Sequence, residues 1–208
     1  MKIRKFNINP GLAMVMILAN SLVYAAPDAN QPAKAEPEKI TCEIPEKVEN
    51  PILSVVAADL NGDKLVDSAV LLKSGDQADF YLYLANAAGD MELKLSKKTL
   101  VWSGAMAGTL PQLKIAKDGG LLIYAQNDAI GRNRWHQRLS VDYRDKEFIV
   151  SGYVYDERDT LDPKFSLTCD VNLLTGKGIK NKAEFKIEAQ KIKLSDWADA
   201  KVPKQCKD

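Results

Sequence analysis

The stretch WHQRLSVDYRDKEFIVSGYVYD, residues 135–156, decides the fold class. In its first half, the apolar residues Leu139, Val141 and Tyr143 alternate with polar ones. This alternation is typical of a strand with one face on a core and the other in water. Asp145 and Lys146 then mark a turn before a second apolar run. The stretch therefore predicts two strands of an antiparallel sheet.

The same pattern recurs along the chain, with turn signals about every ten residues. Clear turn signals lie at Gly75-Asp76 and at residues 118–120 and 175–178. No amphipathic helix of useful length and no repeat of fixed period is visible. The sequence predicts an all-β fold, an antiparallel meander packed as a sandwich or as partial propeller-like sheets.

The N-terminus has the three regions of a secretory signal peptide. Positive charges at Lys2, Arg4 and Lys5 precede an apolar run, residues 12–24, and small residues flank a cleavage point after Ala25. An uncleaved membrane anchor is the alternative, but the run is shorter than the ~20 residues that span a bilayer. Residues 1–25 are therefore predicted to be removed, leaving no membrane span and a periplasmic or secreted protein.

The rest of the chain divides into two parts. Residues 26–39 are rich in Pro, Ala and charge, and are predicted to form a disordered leader. Residues 40–208 are predicted to form a single β domain, which is long enough for a hydrophobic core. The formal net charge is +1, with acidic and basic residues interspersed. This balance argues against a nucleic-acid partner.

Three cysteines remain after the predicted cleavage, and export permits disulfides. Cys169 shares a strand face with apolar residues, so it resembles a small buried hydrophobic residue. Cys42 and Cys206 lie near the two ends of the domain. A Cys42–Cys206 disulfide is therefore predicted, and the two other pairings are the alternatives.

The stretch VVAADLNGDKLVDSAVLLK, residues 55–73, places side-chain oxygens at regular intervals between two apolar runs. Such spacing suits Ca²⁺, a hard cation that takes six to eight oxygen ligands. The predicted ligands are Asp59, Asn61, Asp63, the Leu65 carbonyl and Asp67. The alternative is a tight hairpin turn whose Asp and Asn side chains accept hydrogen bonds from their own backbone.

Within this stretch, DLNGDKLVDSAVLL resembles one unit of the FG-GAP/VCBS type, whose loop reads D-x-(D/N)-G-D-G-x-x-D between strands. The resemblance implies a Ca²⁺ loop of the kind found in multi-bladed propellers. The chain departs from the pattern at Lys64, where the family has Gly. A left-handed backbone there costs Lys about 1 kcal/mol relative to Gly. Only one such loop is present, so the resemblance does not imply a propeller.

A longer resemblance covers residues 55–178. The chain is similar to a group of small exported bacterial proteins that pair one D-x-N-G-D loop with a downstream G-R-x-x-W…Y…F…G-Y…N-x-L-T-G-K pattern. The matching positions are Gly131, Arg132, Trp135, Tyr143, Phe148, Gly152, Tyr153, Asn172, Leu174, Thr175, Gly176 and Lys177. This resemblance implies a β fold and an exported location, but no activity.

Few residues are candidates for catalysis. The single histidine, His136, is predicted to be exposed on a strand beside Arg138, and no His/Cys cluster has zinc-ligand spacing. The segment YDERDTLDPK contains four carboxylates: Asp156, Glu157, Asp159 and Asp162. Two carboxylates about 5 to 9 Å apart can cleave a glycosidic bond. A solvated turn is the alternative interpretation.

The segment QNDAIGRNRW is the most distinctive candidate for an interaction surface. Arg132 and Arg134 precede Trp135, and Arg and Trp dominate the energetics of protein interfaces. The alternative is a core Trp135 with arginines covering its rim. The sequence therefore predicts an exported, non-catalytic binding protein of inhibitor or immunity type with an envelope or secreted protein partner. A small cell-wall-directed hydrolase that uses residues 156–162 is the competing prediction.

Overall fold

A computed structural model describes residues 50–207. The predicted signal peptide, the leader and Cys42 lie outside the described residues. The strands are β1 Ile52–Ala58, β2 Asp67–Ser74, β3 Gln77–Ala85, β4 Met91–Trp102, β5 Gln112–Ile115, β6 Leu121–Asn127, β7 Asn133–Arg144, β8 Glu147–Asp159, β9 Ser166–Asn172, β10 Lys177–Lys180, β11 Ala183–Lys186 and β12 Ile192–Lys193. Three 3₁₀ turns follow: Leu194–Asp196, Asp199–Lys201 and Lys204–Cys206. We call residues 194–206 the C-terminal segment.

The strands form two antiparallel sheets, and the chain runs through each as a meander. Sheet 1 has the order β1-β2-β3-β4, and sheet 2 has the order β11-β10-β9-β8-β7-β6-β5, with β12 paired to β8. Tight turns join most sequential strands, so each strand pairs with the next one. The predicted all-β meander is confirmed, and it is a sandwich that does not close into a barrel.

Alternating side chains from both sheets fill a single core. Ala69 and Leu71 of β2 and Phe80 of β3 are fully buried in sheet 1, and Ile123 and Leu139 are fully buried in sheet 2. All five belong to one hydrophobic cluster. The face of each sheet that points towards this cluster is its inner face. The predicted alternation in β7 is therefore the pattern that turns its apolar residues inward.

The C-terminal segment covers part of sheet 2. Trp197 is only 1% exposed, and its ring lies 5.9 Å from the ring of Tyr153 on β8. Burial raises the pKa of Tyr153, and the nearby Asp199 carboxylate raises it further. The segment thus packs apolar side chains against β8 of sheet 2.

The disulfide joins Cys169 of β9 to Cys206 of the C-terminal segment. Their Cα atoms are 5.4 Å apart, which lies within the range that disulfide geometry allows. The predicted Cys42–Cys206 pairing is therefore wrong. Cys169 is buried as predicted, but the C-terminal segment folds back over β9 and brings Cys206 to it. Alternation indicated the burial of Cys169 and gave no information about its partner.

Candidate binding cleft

A cleft of about 730 Å³ lies between β4, the inner face of β7 and β8, and the C-terminal segment. Its aromatic lining consists of Trp102 on β4, Trp135 on β7, Tyr155 on β8 and Trp197. The chain has three tryptophans, and all of them line this cleft. We call it the aromatic cleft. Its volume falls within the roughly 300 to 1,000 Å³ that is usual for small ligand sites.

Strand alternation puts Trp135 into the cleft. Trp135 and Gln137 continue the inner face of β7 beyond the buried Leu139, and Gln137 pairs in register with Tyr155 of β8. The Trp135 ring lies 5.4 Å from the Trp102 ring and 6.4 Å from the Tyr155 ring, centroid to centroid. Trp135 packs against the core on one side and remains partly exposed. The Trp135 ring therefore contacts the core on one side and the open cleft on the other.

Polar side chains surround the aromatic rings. Gln77, Lys97, Thr99, Gln137 and Asp199 contribute to the lining. Side-chain amides and charged groups at the edge of an apolar surface can orient a ligand whose apolar part stacks on the rings. The cleft therefore combines apolar contact area with polar side chains, two features that are usual in ligand sites.

The β4 wall of the cleft contains a bulge with a strained residue. Thr99 has φ of +50°, which a β-branched residue rarely adopts. Asp79, which is 3% exposed, stabilises the bulge because one carboxylate oxygen accepts the Thr99 N–H at 2.8 Å and the other accepts Lys98 Nζ at 2.8 Å. Burial opposes ionisation, but these hydrogen bonds lower the pKa of Asp79. Strained backbone and bulges are common at functional sites.

The three predicted interface residues do not share one surface. Trp135 faces the cleft, whereas Arg134 lies on the opposite face of β7, where one of its N–H groups donates to the Gly131 carbonyl. Arg132, in the loop before β7, donates from Nε to the Asp159 carboxylate at 2.7 Å. The structure thus separates Trp135 from Arg134 and pairs Arg132 with an acidic residue.

The outer face of β7 and β8 carries a charge cluster that sequence reasoning missed. His136 Nδ1 lies 2.7 Å from Asp156, and His136 Nε2 lies 2.8 Å from Asp128. Arg158 donates to the second oxygen of Asp128 at 3.1 Å. Burial opposes the charge, but hydrogen bonds to Asp128 and Asp156 raise the pKa of His136. Both nitrogens can donate only in the imidazolium form, because a neutral imidazole has a single N–H.

We predict that this cluster makes the stability of the protein depend on pH. Because the folded-state pKa of His136 is raised, its contribution is complete below the unfolded value of 6.5 and is lost as pH rises through the folded value. The melting temperature of the wild type should therefore fall as pH rises from 6 through the folded-state pKa of His136. In His136→Gln this slope should flatten. Parallel slopes for the two proteins in calorimetric scans would contradict the prediction.

The four carboxylates of the proposed hydrolase are all engaged with neighbours. Asp156 contacts His136 and Asp159 contacts Arg132, as described above. Glu157 accepts hydrogen bonds from Tyr155 and Asn133, and Asp162 accepts the Lys164 N–H at 3.1 Å. The Arg132 hydrogen bond lowers the pKa of Asp159 to about 2. A proton donor in glycoside hydrolysis needs a raised pKa, so this geometry does not favour catalysis by Asp159.

The D-x-N-G-D loop is closed by its own hydrogen bonds. Asp59 accepts the backbone N–H groups of Gly62 and Lys64, and Asp63 accepts that of Leu65. Asn61 Oδ1 accepts the Asp63 N–H at 2.9 Å. Lys64 takes φ of +71°, a left-handed conformation that favours Gly. This is the geometry of the alternative prediction, a tight turn whose Asp and Asn side chains accept hydrogen bonds from their own backbone.

Asp67, the last predicted calcium ligand, points away from the loop surface. It is fully buried, and its two oxygens accept the backbone N–H groups of Leu60 at 2.8 Å and Ala85 at 3.0 Å. Within residues 50–207, no group of three or more His, Cys, Asp or Glu side chains is arranged to hold a metal ion. Both Asp67 oxygens are thus engaged by backbone amides. The predicted donor set therefore does not fit a Ca²⁺ site that includes Asp67.

Calcium binding by the D-x-N-G-D loop remains a prediction from the sequence. If it holds, millimolar Ca²⁺ should raise the melting temperature of chelator-treated protein, because a ligand that binds only the folded state stabilises it. Asp63→Ala should abolish the rise. An unchanged melting temperature in the wild type would show that the loop is a turn alone, and Mg²⁺ at the same concentration is the control for ionic strength.

The fold and the cleft together define a class, a two-sheet antiparallel β-sandwich with an aromatic cleft at the edge of its smaller sheet. No protein-family model, no curated protein and no solved structure matches this chain. No helix in residues 50–207 has the length and hydrophobicity required to cross a membrane.

Proposed function

We propose that the protein is an exported, non-catalytic binding protein that captures a segment of an envelope or secreted protein in the aromatic cleft. It would act in the periplasm or outside the cell, as an inhibitor or immunity-type protein does. The observation that supports this proposal best is the convergence of Trp102, Trp135 and Tyr155 on one open cleft. Aromatic side chains that are partly buried before binding lose little conformational entropy when a partner packs on them.

Three further observations support the proposal. The Cys169–Cys206 disulfide is of the kind that forms in oxidising compartments outside the cytoplasm. The charged and apolar N-terminus has the pattern of a signal peptide. Within the 156–162 segment, Asp156 pairs with His136 and Asp159 pairs with Arg132, as expected for structural ion pairs.

The test compares partner binding by two β7 variants after affinity capture from a periplasmic extract. Trp135→Ala should weaken the affinity for the captured protein by about 2 kcal/mol or more, because it removes an aromatic anchor at the centre of the site. Arg134→Ala should leave the affinity unchanged, because Arg134 lies on the other face of the strand. The affinity is measured by calorimetry with purified partner.

Gln137→Ala is the control for unfolding, because Trp135→Ala also loses binding if it fails to fold. This change lies in the same cleft and removes a polar side chain rather than a core ring. It should also weaken binding while its melting temperature stays near that of the wild type. If Arg132→Ala and Arg134→Ala weaken binding and the two cleft variants do not, the contact lies on the loop before β7 and not in the cleft.

A further inference from the structure

Strand β4 has an unpaired edge. It is twelve residues long and pairs with β3 on one side, and no strand among residues 50–207 pairs with its other side. An edge strand presents a row of backbone N–H and C=O groups that another strand can bind. Its first residues, such as Met91 and Leu93, are exposed, so this end of the edge is open to solvent, whereas the C-terminal segment contacts β4 near the cleft.

This edge borders the aromatic cleft. Lys97 and the residues from Thr99 to Trp102 form the β4 wall of the cleft, and Trp135 and Tyr155 of sheet 2 form its floor. A strand added to β4 would lie about 4.8 Å further along sheet 1, above that floor. Its alternate side chains would point at the two rings. The cleft is thus located where a fifth strand of sheet 1 would place a side chain.

The charge on β4 indicates what kind of segment fits. Lys94, Lys97 and Lys98 lie along the strand, with Glu92 as its one acidic residue. Lys98 is paired with Asp79, but its side chain is 67% exposed. A second copy of β4 would bring another strand of net positive charge beside this one, and like charges across strands are unfavourable. An acidic segment would meet complementary charge.

We propose that an extended, acidic segment of a partner protein adds to the free edge of β4 as a fifth strand and inserts one aromatic or large apolar side chain into the aromatic cleft. Backbone hydrogen bonds to β4 supply general affinity, and the cleft selects the inserted residue, as in other cases of strand addition. This inference rests on the proposed function, since it names the form and charge of the segment that the cleft would bind.

The test uses a defined probe, the peptide acetyl-Glu-Thr-Glu-Phe-Glu-Thr-Glu-amide, with the full mature protein. Tryptophan fluorescence reports cleft occupancy, because every tryptophan in the chain lines the cleft. Hydrogen exchange reports strand addition. Binding should slow exchange of the outward-facing β4 amides by about tenfold or more, while β11 amides, at the far edge of sheet 2, remain unchanged. Peptides with Phe replaced by Ala, or Glu by Lys, should bind at least about tenfold more weakly.

Matched charge reversals test the role of the lysines. Lys94→Glu combined with Lys97→Glu should weaken peptide binding about tenfold at low salt, and Lys186→Glu on β11 should not change it. A fluorescence change without protection of β4 would overturn strand addition and leave binding in the cleft intact. Neither signal at millimolar peptide would also overturn the inference. The proposed function fails separately, if Trp135→Ala binds the captured protein as the wild type does.

Discussion

Replacing Asp67 with alanine is expected to lower the free energy of unfolding by about 4 kcal/mol, since each buried amide left without an acceptor costs about 1 to 3 kcal/mol. Two amides lose their acceptor, those of Leu60 and Ala85. The first belongs to the loop after β1 and the second to the end of β3, so Asp67 joins three parts of sheet 1. Urea unfolding in the presence of a chelator measures the loss.

Asp63→Ala is the matched control, because Asp63 lies in the same loop but is exposed. Its carboxylate accepts the Leu65 N–H and a side-chain hydrogen bond from Asn61, so its removal should cost about 1 kcal/mol or less. With chelator present, the difference between the two variants is independent of any metal. Equal losses would mean that Asp67 does not have the buried structural role assigned to it.

The sheets could be predicted because their determinants are local. Alternation in β7 and the turn at Asp145-Lys146 are enough to define a hairpin, and the structure has it. Meander topology follows when each turn is short, because sequential strands then have no alternative neighbour. The all-β fold class and the meander order of the strands could therefore be predicted from short-range patterns in a single sequence.

The site was harder to predict because one bulge changes which residues face the cleft. Near the turn, β7 and β8 pair Val141 with Val150, but beyond the bulge Ser140 pairs with Gly152. Ser151 is the extra residue, and its hydroxyl donates to the Ser140 carbonyl at 3.2 Å. An unbroken register would pair Gln137 with Val154. The one-residue shift instead brings Tyr155 beside Gln137.

The same bulge explains the missed histidine cluster. With an unbroken register, His136 would pair with Tyr155 rather than with Asp156, its partner in the structure. Strand alternation places His136 on the face opposite Trp135, with Arg138. The identity of its neighbour depended on the bulge, and nothing in the sequence VSGYVYD specifies a bulge over a regular strand. Asp128, from the preceding loop, could not be placed by periodicity at all.

Removing the disulfide by the double change Cys169→Ala and Cys206→Ala is expected to lower the free energy of unfolding by about 4 kcal/mol. The bond closes a loop between residues separated by 37 positions. In the chain-entropy account, a loop of this length restricts the unfolded chain by about that amount. The C-terminal segment should detach first, because Cys206 attaches it to β9. Urea unfolding measures the loss, and a red shift of tryptophan emission reports the exposure of Trp197.

Cys42→Ala is the control that separates the two pairings. If Cys206 pairs with Cys169, this change leaves the free energy of unfolding within about 0.5 kcal/mol of the wild type, as is usual for a substitution without a specific structural role. If Cys206 paired with Cys42, the single change would cost as much as the double one. The cleft gives a second readout, because Trp197 and Asp199 form one of its walls. The double variant should therefore also bind a cleft ligand more weakly, even under conditions where both sheets remain folded. Retention of wild-type stability and of wild-type tryptophan emission in the double variant would contradict the Cys169–Cys206 bond.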